Sequence, residues 1–206
     1  MWGAEVDVIV GDLRNPASLT SACAGIGKIV FVAGSSGMAS RDTPREIEGD
    51  AIATIVAAIG PGAIERFVLL SSAAVTQPEH PHNCSYNSVL KWKLRGEDAL
   101  RASGLPYTIV RALGLRDRVA GEQGVRIVQG DRIAFGEDIA RGDLAGFLAD
   151  IVAPELCSRF APGIDPASLQ GATFEVFNDD RLTGRVWASS LAILTPDVAL
   201  PAKCRP

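Results

Sequence analysis

Apolar and polar residues follow one another along this chain in blocks that predict strands and helices in turn. Residues 28–33 (KIVFVA) and 64–71 (IERFVLLS) are nearly continuous apolar runs, which are typical of strands covered on both faces. Residues 5–10 (EVDVIV) form a third run that is rich in β-branched side chains. Helical patterns separate these runs. The alternation predicts an α/β fold with a mostly parallel, doubly wound sheet and helices on both faces.

The strongest single pattern lies at residues 89–115 (VLKWKLRGEDALRASGLPYTIVRALGL). Leucines recur at helical spacing between charged residues, and Gly104 supplies the left-handed conformation that commonly ends a helix. Residues 107–110 (YTIV) then predict a buried strand. A helix that leads directly into a buried strand is half of a parallel crossover, so this segment supports the predicted sheet.

Two other helices begin at recognisable caps. Asn15 followed by Pro16 predicts a short helix with an asparagine cap and a proline in its first turn. The second cap is a capping box with proline at the first helical position, formed by Thr43, Pro44, Arg45 and Glu46. Apolar residues at helical spacing follow it. Further along the chain, residues 76–85 predict a polar loop.

The pattern weakens after residue 115. It predicts a short strand at residues 125–128, a helix at 143–152 and a late strand at 173–177. In residues 178–206 the apolar residues show no regular spacing that predicts a helix or a strand. The sequence therefore predicts one α/β domain at residues 1–178 and a C-terminal tail of uncertain structure at 179–206.

Composition narrows the class of protein. Of the 206 residues, 47% are hydrophobic and 21% charged, an ordinary mix for a soluble globular domain, and the net charge of -4 argues against a nucleic-acid partner. No apolar run approaches the roughly 20 residues needed to span a bilayer, and the first residues have no signal-peptide pattern. We expect a location in the cytoplasm or in an organelle stroma or matrix.

A metal site is not expected. The four cysteines (Cys23, Cys84, Cys157 and Cys204) lie far apart, which favours a reducing compartment. His80, His82 and Cys84 alternate in a loop, but Pro81 interrupts them and they lack the spacing of a zinc site.

The predicted strands end in Gly11-Asp12-Leu13, Ala33-Gly34-Ser35, Ser71-Ser72-Ala73 and Arg111-Ala112-Leu113. In a parallel sheet these ends share one rim, which is where ligands bind. In this order they resemble the atypical short-chain dehydrogenase/reductases, specifically the NmrA-like, NAD(P)-binding-domain group. The resemblance is carried by VGDLRNPASL, IVFVAGS, ERFVLLSS, WKLRGEDALRASGLPYTIVR and, more loosely, IARGDLAGFL.

The resemblance implies a site for NADP or NAD, with NADP favoured, and an unidentified small-molecule substrate. On this resemblance Asp12 and Leu13 meet the adenine, while Ala33 and Gly34 let the backbone approach the adenosine ribose. Ser71 then lies next to the nicotinamide and the substrate.

The same resemblance makes Lys93 the lysine that hydrogen-bonds the nicotinamide ribose, and it places Ser72 beside Ser71. The familiar active members carry a tyrosine acid four residues before this lysine, where this chain has Val89. Tyr86 lies one turn too early. Proton transfer is therefore assigned to Ser72 or to water, with Ser72 and Lys93 as the candidate catalytic residues.

The family's glycine-rich phosphate turn is a second departure, because the match begins at the family's third strand. We expect a sheet that lacks its first unit, with an apolar edge exposed at residues 29–32 and open to a protein partner. One alternative is that residues 31–40 (FVAGSSGMAS) form the phosphate turn themselves. The functional expectations are an NAD(P)-dependent oxidoreductase or, alternatively, a non-catalytic NAD(P)-sensing or scaffold protein.

Overall fold

In the computed structural model the described residues are 6–35, 42–60, 64–131, 136–153, 166–184, 187–189 and 194–197. The helices are α1 (Pro16–Ala22), a π-helix (Arg45–Asp50) that continues into α2 (Ala51–Ile59), α3 (Pro81–Ser85), α4 (Val89–Arg101), α5 (Arg141–Val152) and a 3-10 turn (Pro166–Leu169). The strands are β1 (Lys28–Phe31), β2 (Arg66–Ser72), β3 (Tyr107–Ala112), β4 (Gly114–Arg116), β5 (Gln123–Val128), β6 (Asp138–Ala140), β7 (Ala172–Thr183) and β8 (Trp187–Ser189).

Six strands form one sheet in the order β1-β2-β3-β7-β5-β8. The first four are parallel, β5 runs antiparallel to β7, and β8 runs parallel to β5. Strands β4 and β6 make a separate parallel pair. The mostly parallel sheet confirms the predicted fold class.

Each face of the sheet buries its own apolar cluster. On one face α2 and α4 contribute Ile52 and Leu100, which pack with Phe67 of β2. On the other face Phe147 of α5 packs edge-on against Phe174 of β7, with ring centroids 6.1 Å apart. Helices on both faces confirm the doubly wound arrangement, because the alternating side chains of each strand need a cover on both sides.

The predicted caps are present. Asn15 accepts a hydrogen bond from the Ala17 amide at 3.1 Å. The Thr43 amide donates to a Glu46 carboxylate oxygen at 2.9 Å and the Glu46 amide donates back to Thr43 Oγ1 at 3.3 Å, which is the reciprocal capping box. Gly104 adopts a φ of 75° after α4, as its position predicts.

The strand predicted at residues 5–10 is wrong for the part that the structure describes. Residues 6–10 are irregular and exposed, with 96% of Val10 accessible to solvent. A strand is stable only when a neighbour satisfies its backbone groups, and no described strand pairs with this segment. Strand β1 is accordingly an edge strand, and Val32 just beyond it is 57% exposed, which confirms the predicted apolar edge.

The C-terminal part is more ordered than its sequence pattern indicated. Strand β7 extends to Thr183, so residue 178 lies inside a continuous strand, and β8 adds to the sheet beyond it. Asp197 accepts hydrogen bonds from Arg101 Nε at 3.0 Å and from the Tyr107 hydroxyl at 2.9 Å. The predicted loop at residues 76–85 contains the short helix α3, which begins at Pro81.

Candidate functional site

A cleft with about 190 Å³ of empty space, which includes its mouth, opens where β1 and β2 end. Its lining residues are Phe31, Ala33, Glu48, Leu69, Leu70, Ser71 and Lys93. Parallel strands present their carboxyl ends at one rim, and the cleft lies at that rim between the sheet and α4. The structure therefore brings together Ala33, Ser71 and Lys93 from the residues that the sequence proposed.

Lys93 reaches the cleft from the first turns of α4. Its side chain is 20% exposed, and Nζ lies 3.9 Å from Glu48 Oε1. Burial lowers the pKa of the Lys93 ammonium group, while the carboxylates of Glu48 and Glu97 raise it part of the way back. The Lys93 amine is thus a nitrogen donor in the lining of the cleft.

Glu48 is a residue that the sequence reasoning missed. Its Oε1 atom accepts hydrogen bonds from the Ser35 amide at 3.0 Å and from Ser35 Oγ at 3.1 Å. Its Oε2 atom is buried and has no hydrogen-bond partner among the described residues. A signal was present, because Glu48 shares the helical face of Ile52 and Ile55, and an acid on a buried apolar stripe needs a reason to be there.

The two serines at the end of β2 differ in their surroundings. Ser71 lines the cleft, and its hydroxyl is buried without a hydrogen-bond partner among the described residues. Ser72 is outside the cleft lining and donates its hydroxyl to the Ala73 carbonyl at 3.0 Å. Of the two serines, Ser71 is therefore the one whose hydroxyl is left without a described partner, and the catalytic role of Ser72 stays a prediction.

The other predicted cofactor residues lie outside the cleft lining. Asp12 is paired with Arg14 at 2.8 Å, and this arginine, through its hydrogen bonds, lowers the pKa of Asp12 to about 2. Leu13 packs against the apolar cluster beneath α1. Gly34 lies beside Glu48, and a Cβ atom there would stand 3.6 Å from Glu48 Oε1, an ordinary contact. Their contacts with a dinucleotide stay predictions.

No tyrosine replaces the missing acid among the described residues that line the cleft. Val89 packs in a small apolar cluster with Leu90. Tyr86 is 51% exposed, and its ring packs edge-on against His82 with centroids 5.5 Å apart. The Tyr107 hydroxyl donates to Asp197, which fits the interpretation of Tyr107 as a structural strand residue.

A second buried polar cluster lies next to the cleft on the same face of the sheet. Arg111 donates to both oxygens of Glu97, at 3.0 and 2.7 Å, so it pairs with an acid and does not point freely at a ligand. Glu175 lies opposite Arg111 in the neighbouring strand and accepts from the Asp131 amide at 3.0 Å. Burial raises the pKa of Glu175 to about 7, although Arg111 acts in the opposite direction.

The described residues also bear on the requirements of a metal site and of a membrane-spanning helix. The described residues contain no group of three or more His, Cys, Asp and Glu side chains that could hold a metal ion. His80 Nδ1 accepts from the His82 amide at 3.3 Å and so caps α3. None of the described helices has the length and apolarity needed to span a bilayer. The second half of the alternative phosphate turn, residues 36–40, lies outside the described residues, as do Cys157 and Cys204.

The parallel order of β1, β2, β3 and β7, with helices on both faces, defines a Rossmann-like α/β fold. The sequence profile of the NAD(P)H-binding family matches residues 2–155, and the chain belongs to that family. The resemblance to the atypical short-chain dehydrogenase/reductases agrees with this membership.

Individual relatives agree with the family. An uncharacterized chloroplastic protein of Arabidopsis thaliana is 29% identical over 161 residues, which cover 68% of this chain and 50% of the relative. Sanguinarine reductase of Eschscholzia californica is 35% identical over 85 residues, covering 40% of this chain and 31% of the enzyme. A solved Bacillus halodurans structure, described as a candidate NAD-dependent epimerase/dehydratase, superposes with a TM-score of 0.66 at 28% identity, covering 83% of this chain and 72% of that one. The chain thus spans half or less of the two curated relatives.

Proposed function

We propose that this protein is an NAD(P)-dependent oxidoreductase of the atypical short-chain dehydrogenase/reductase type. The observation that carries the proposal is the cleft at the ends of β1 and β2, whose lining includes both Lys93 and Ser71. The buried Ser71 hydroxyl has no hydrogen-bond partner among the described residues, so a ligand hydroxyl or carbonyl is the partner that the cleft can accept. The resemblance favours NADP over NAD.

Three residues of the cleft lining have a definite task in this proposal. The Lys93 ammonium group donates to the ribose hydroxyls next to the nicotinamide, and the small side chain of Ala33 lets the backbone approach the adenosine ribose. A bound dinucleotide supplies hydride transfer at its nicotinamide ring. Ser71 holds the substrate oxygen, and the proton comes from Ser72 or from a water molecule, since the cleft lining contains no tyrosine.

Titration of the purified chain with NADPH and NADH, followed by the nucleotide fluorescence, tests the proposal. We expect saturable binding of at least one nucleotide and a loss of roughly 5- to 150-fold in affinity for Lys93→Ala, which corresponds to about 1–3 kcal/mol for a charged hydrogen bond. Lys91→Ala is the matched control, because Lys91 is exposed on the same helix. Failure of the wild-type chain to bind either nucleotide would reject the proposal.

A second candidate function is a non-catalytic NAD(P)-sensing or scaffold protein. Two observations favour it: Val89 occupies the position of the acid, and β1 has no described strand beside it on the side away from β2, next to the exposed Val32. This edge is the surface that we propose for a protein partner. Nucleotide binding without oxidation of NADPH in the presence of quinone, imine or carbonyl substrates would favour this second function.

The proposed location follows the same reasoning. The Arabidopsis thaliana relative is chloroplastic, which supports an organelle stroma as an alternative to the cytoplasm. Fractionation of cells that express a tagged copy distinguishes the two locations.

A further inference from the structure

The buried carboxylate of Glu48 has no task in the function proposed so far. Its side chain is 3% exposed and lies against Lys93 in the lining of the cleft. We propose that Glu48 is a positioning residue of this site: its carboxylate holds the Lys93 ammonium group in the cleft and keeps it charged for contact with the ligand. The inference rests on the proposed function, because it assumes that Lys93 contacts the ligand.

The backbone of Glu48 is held directly against the helix that carries Lys93. Gly96 of α4 faces the Glu48 carbonyl oxygen so closely that a Cβ atom at Gly96 would overlap it. One turn along, a Cβ atom at Gly49 would stand 3.3 Å from the ring of Trp92, which also belongs to α4. The π-helical turn at Arg45–Asp50 thus meets α4 backbone to backbone, and such turns are frequent at functional sites.

The carboxylate is oriented as well as placed. Both the amide and the hydroxyl of Ser35 donate to Oε1, and Lys93 Nζ lies 3.9 Å from this same oxygen. Oε2 has no hydrogen-bond partner among the described residues. A movement of Nζ by about 1 Å converts the ion pair into a charged hydrogen bond of ordinary length, and site contacts commonly tighten in this way when a ligand binds.

Glu48 is also the main charge that can keep Lys93 protonated. The other acid facing Lys93 is Glu97, one turn along α4, but Glu97 accepts from Arg111 and from Arg101, each at 2.7 Å. Its negative charge is therefore largely compensated by two guanidinium groups.

The remaining elements packed on α4 do not replace Glu48. Strand β2 presents the uncharged Ser71, and α2 (AIATIVAAI) carries no titratable residue. Helix α3 brings His82, whose ring packs against Tyr86. Without the Glu48 charge, burial of Lys93 would favour the neutral amine, which lacks the charge that a strong hydrogen bond to a ligand requires.

The test reads the protonation of Lys93 directly and needs no ligand. The chain contains only four lysines (Lys28, Lys91, Lys93 and Lys203), so the ¹³Cε resonances of isotopically labelled lysine can be followed by NMR between pH 6 and 11, with Lys93→Arg to assign the signal. We expect Glu48→Gln to lower the titration midpoint of Lys93 by about one pH unit or more. Asp50→Asn removes an equal charge from an exposed acid paired with Arg45 on the same π-helix, and should leave the midpoint in place.

Ser35→Ala provides a second variant in case Glu48→Gln does not fold. It removes one of the two donors that orient Glu48 and should move the midpoint in the same direction by a smaller amount. An unchanged Lys93 midpoint in the folded variant would overturn the inference.

Nucleotide titration then separates this inference from the proposed function. If Glu48 acts through the charge of Lys93, Glu48→Gln binds NADPH like the wild type below its lowered midpoint and loses affinity above it. An equal loss at every pH would mean that Glu48 acts only on structure, and would overturn the inference. Failure of the wild-type chain to bind any nucleotide rejects the proposed function and, with it, the role of Glu48 in ligand binding, whereas the NMR midpoint still reports the ion pair.

Discussion

Glu175 offers a prediction whose size follows from the structure. Its carboxyl is fully buried between β3 and β5, where burial raises its pKa from an ordinary 4.5 to about 7. Above pH 4.5 the unfolded chain loses this proton, while the folded chain keeps it until about pH 7. The folded state therefore binds more protons in this window, and the free energy of unfolding falls as the pH rises through it.

The size follows from the difference between the two pKa values. At about 1.36 kcal/mol for each unit of pKa, the Glu175 carboxyl removes up to about 3 kcal/mol of stability between pH 4.5 and pH 7. Glu175→Gln keeps the shape of the protonated carboxyl and cannot ionise. We therefore expect the stability of Glu175→Gln relative to the wild type to rise by about this amount across the window, and to be constant above it.

Urea unfolding at pH values from 4 to 8, followed by circular dichroism, measures the effect. Glu79→Gln is the matched control, because Glu79 is exposed and its variant should run parallel to the wild type at every pH. If the curves of Glu175→Gln and the wild type were also parallel, the carboxyl would be ionised in the folded protein. Its pairing with Arg111 at 3.5 Å would then outweigh its burial, and the reasoning would fail.

Three further predictions, made with four variants, test one helix contact and two helix ends. Gly96→Ala should lose about 1–3 kcal/mol of unfolding free energy in urea, because its Cβ overlaps the Glu48 carbonyl oxygen. Gly49→Ala should lose less, because its Cβ comes no nearer than 3.3 Å to the Trp92 ring and 3.6 Å to the Trp92 carbonyl oxygen; equal losses would contradict the close helix contact. Thr43→Ala should cost about 0.5–2 kcal/mol through loss of the capping box, and a thermal melt identical to the wild type would refute that role. Gly104→Ala should cost about 1 kcal/mol, because nothing crowds its Cβ and only the φ of 75° opposes it; a neutral result in the same melt would show that the turn can relax.

The predicted elements that proved correct were those with local causes. The capping box at Thr43 and the glycine stop at Gly104 need only a few neighbouring residues, so their sequence patterns were sufficient. The buried strands β2 and β3 are continuous apolar runs, whose burial follows from composition. Residues 6–10 have the same composition, yet they are irregular, because a strand also needs a partner that local composition does not specify.

The candidate site also has one part that the sequence indicated and another that depends on tertiary packing. The resemblance pointed to Lys93 and Ser71 from residues 71–111, and the structure brings both into one cleft. The helical spacing of Glu48 with Ile52 and Ile55 could have identified Glu48 as unusual. Its contact with Lys93, however, joins two residues that are 45 positions apart in the chain and lie on different helices. The Arg111–Glu97 pair likewise depends on how α4 lies across β3.

The sequence by itself determined the alternation of strands and helices, the caps, and the residue types that a dinucleotide-binding rim requires, because each depends on short-range sterics, hydrogen bonding or composition. Only the tertiary structure decided which polar groups face the cleft and which are already paired. It turned Ser71 rather than Ser72 into the cleft lining, and it paired Glu48 with Lys93 at 3.9 Å. Such pairings arise where elements distant in sequence pack together, and burial there makes the charge of each neighbour decisive.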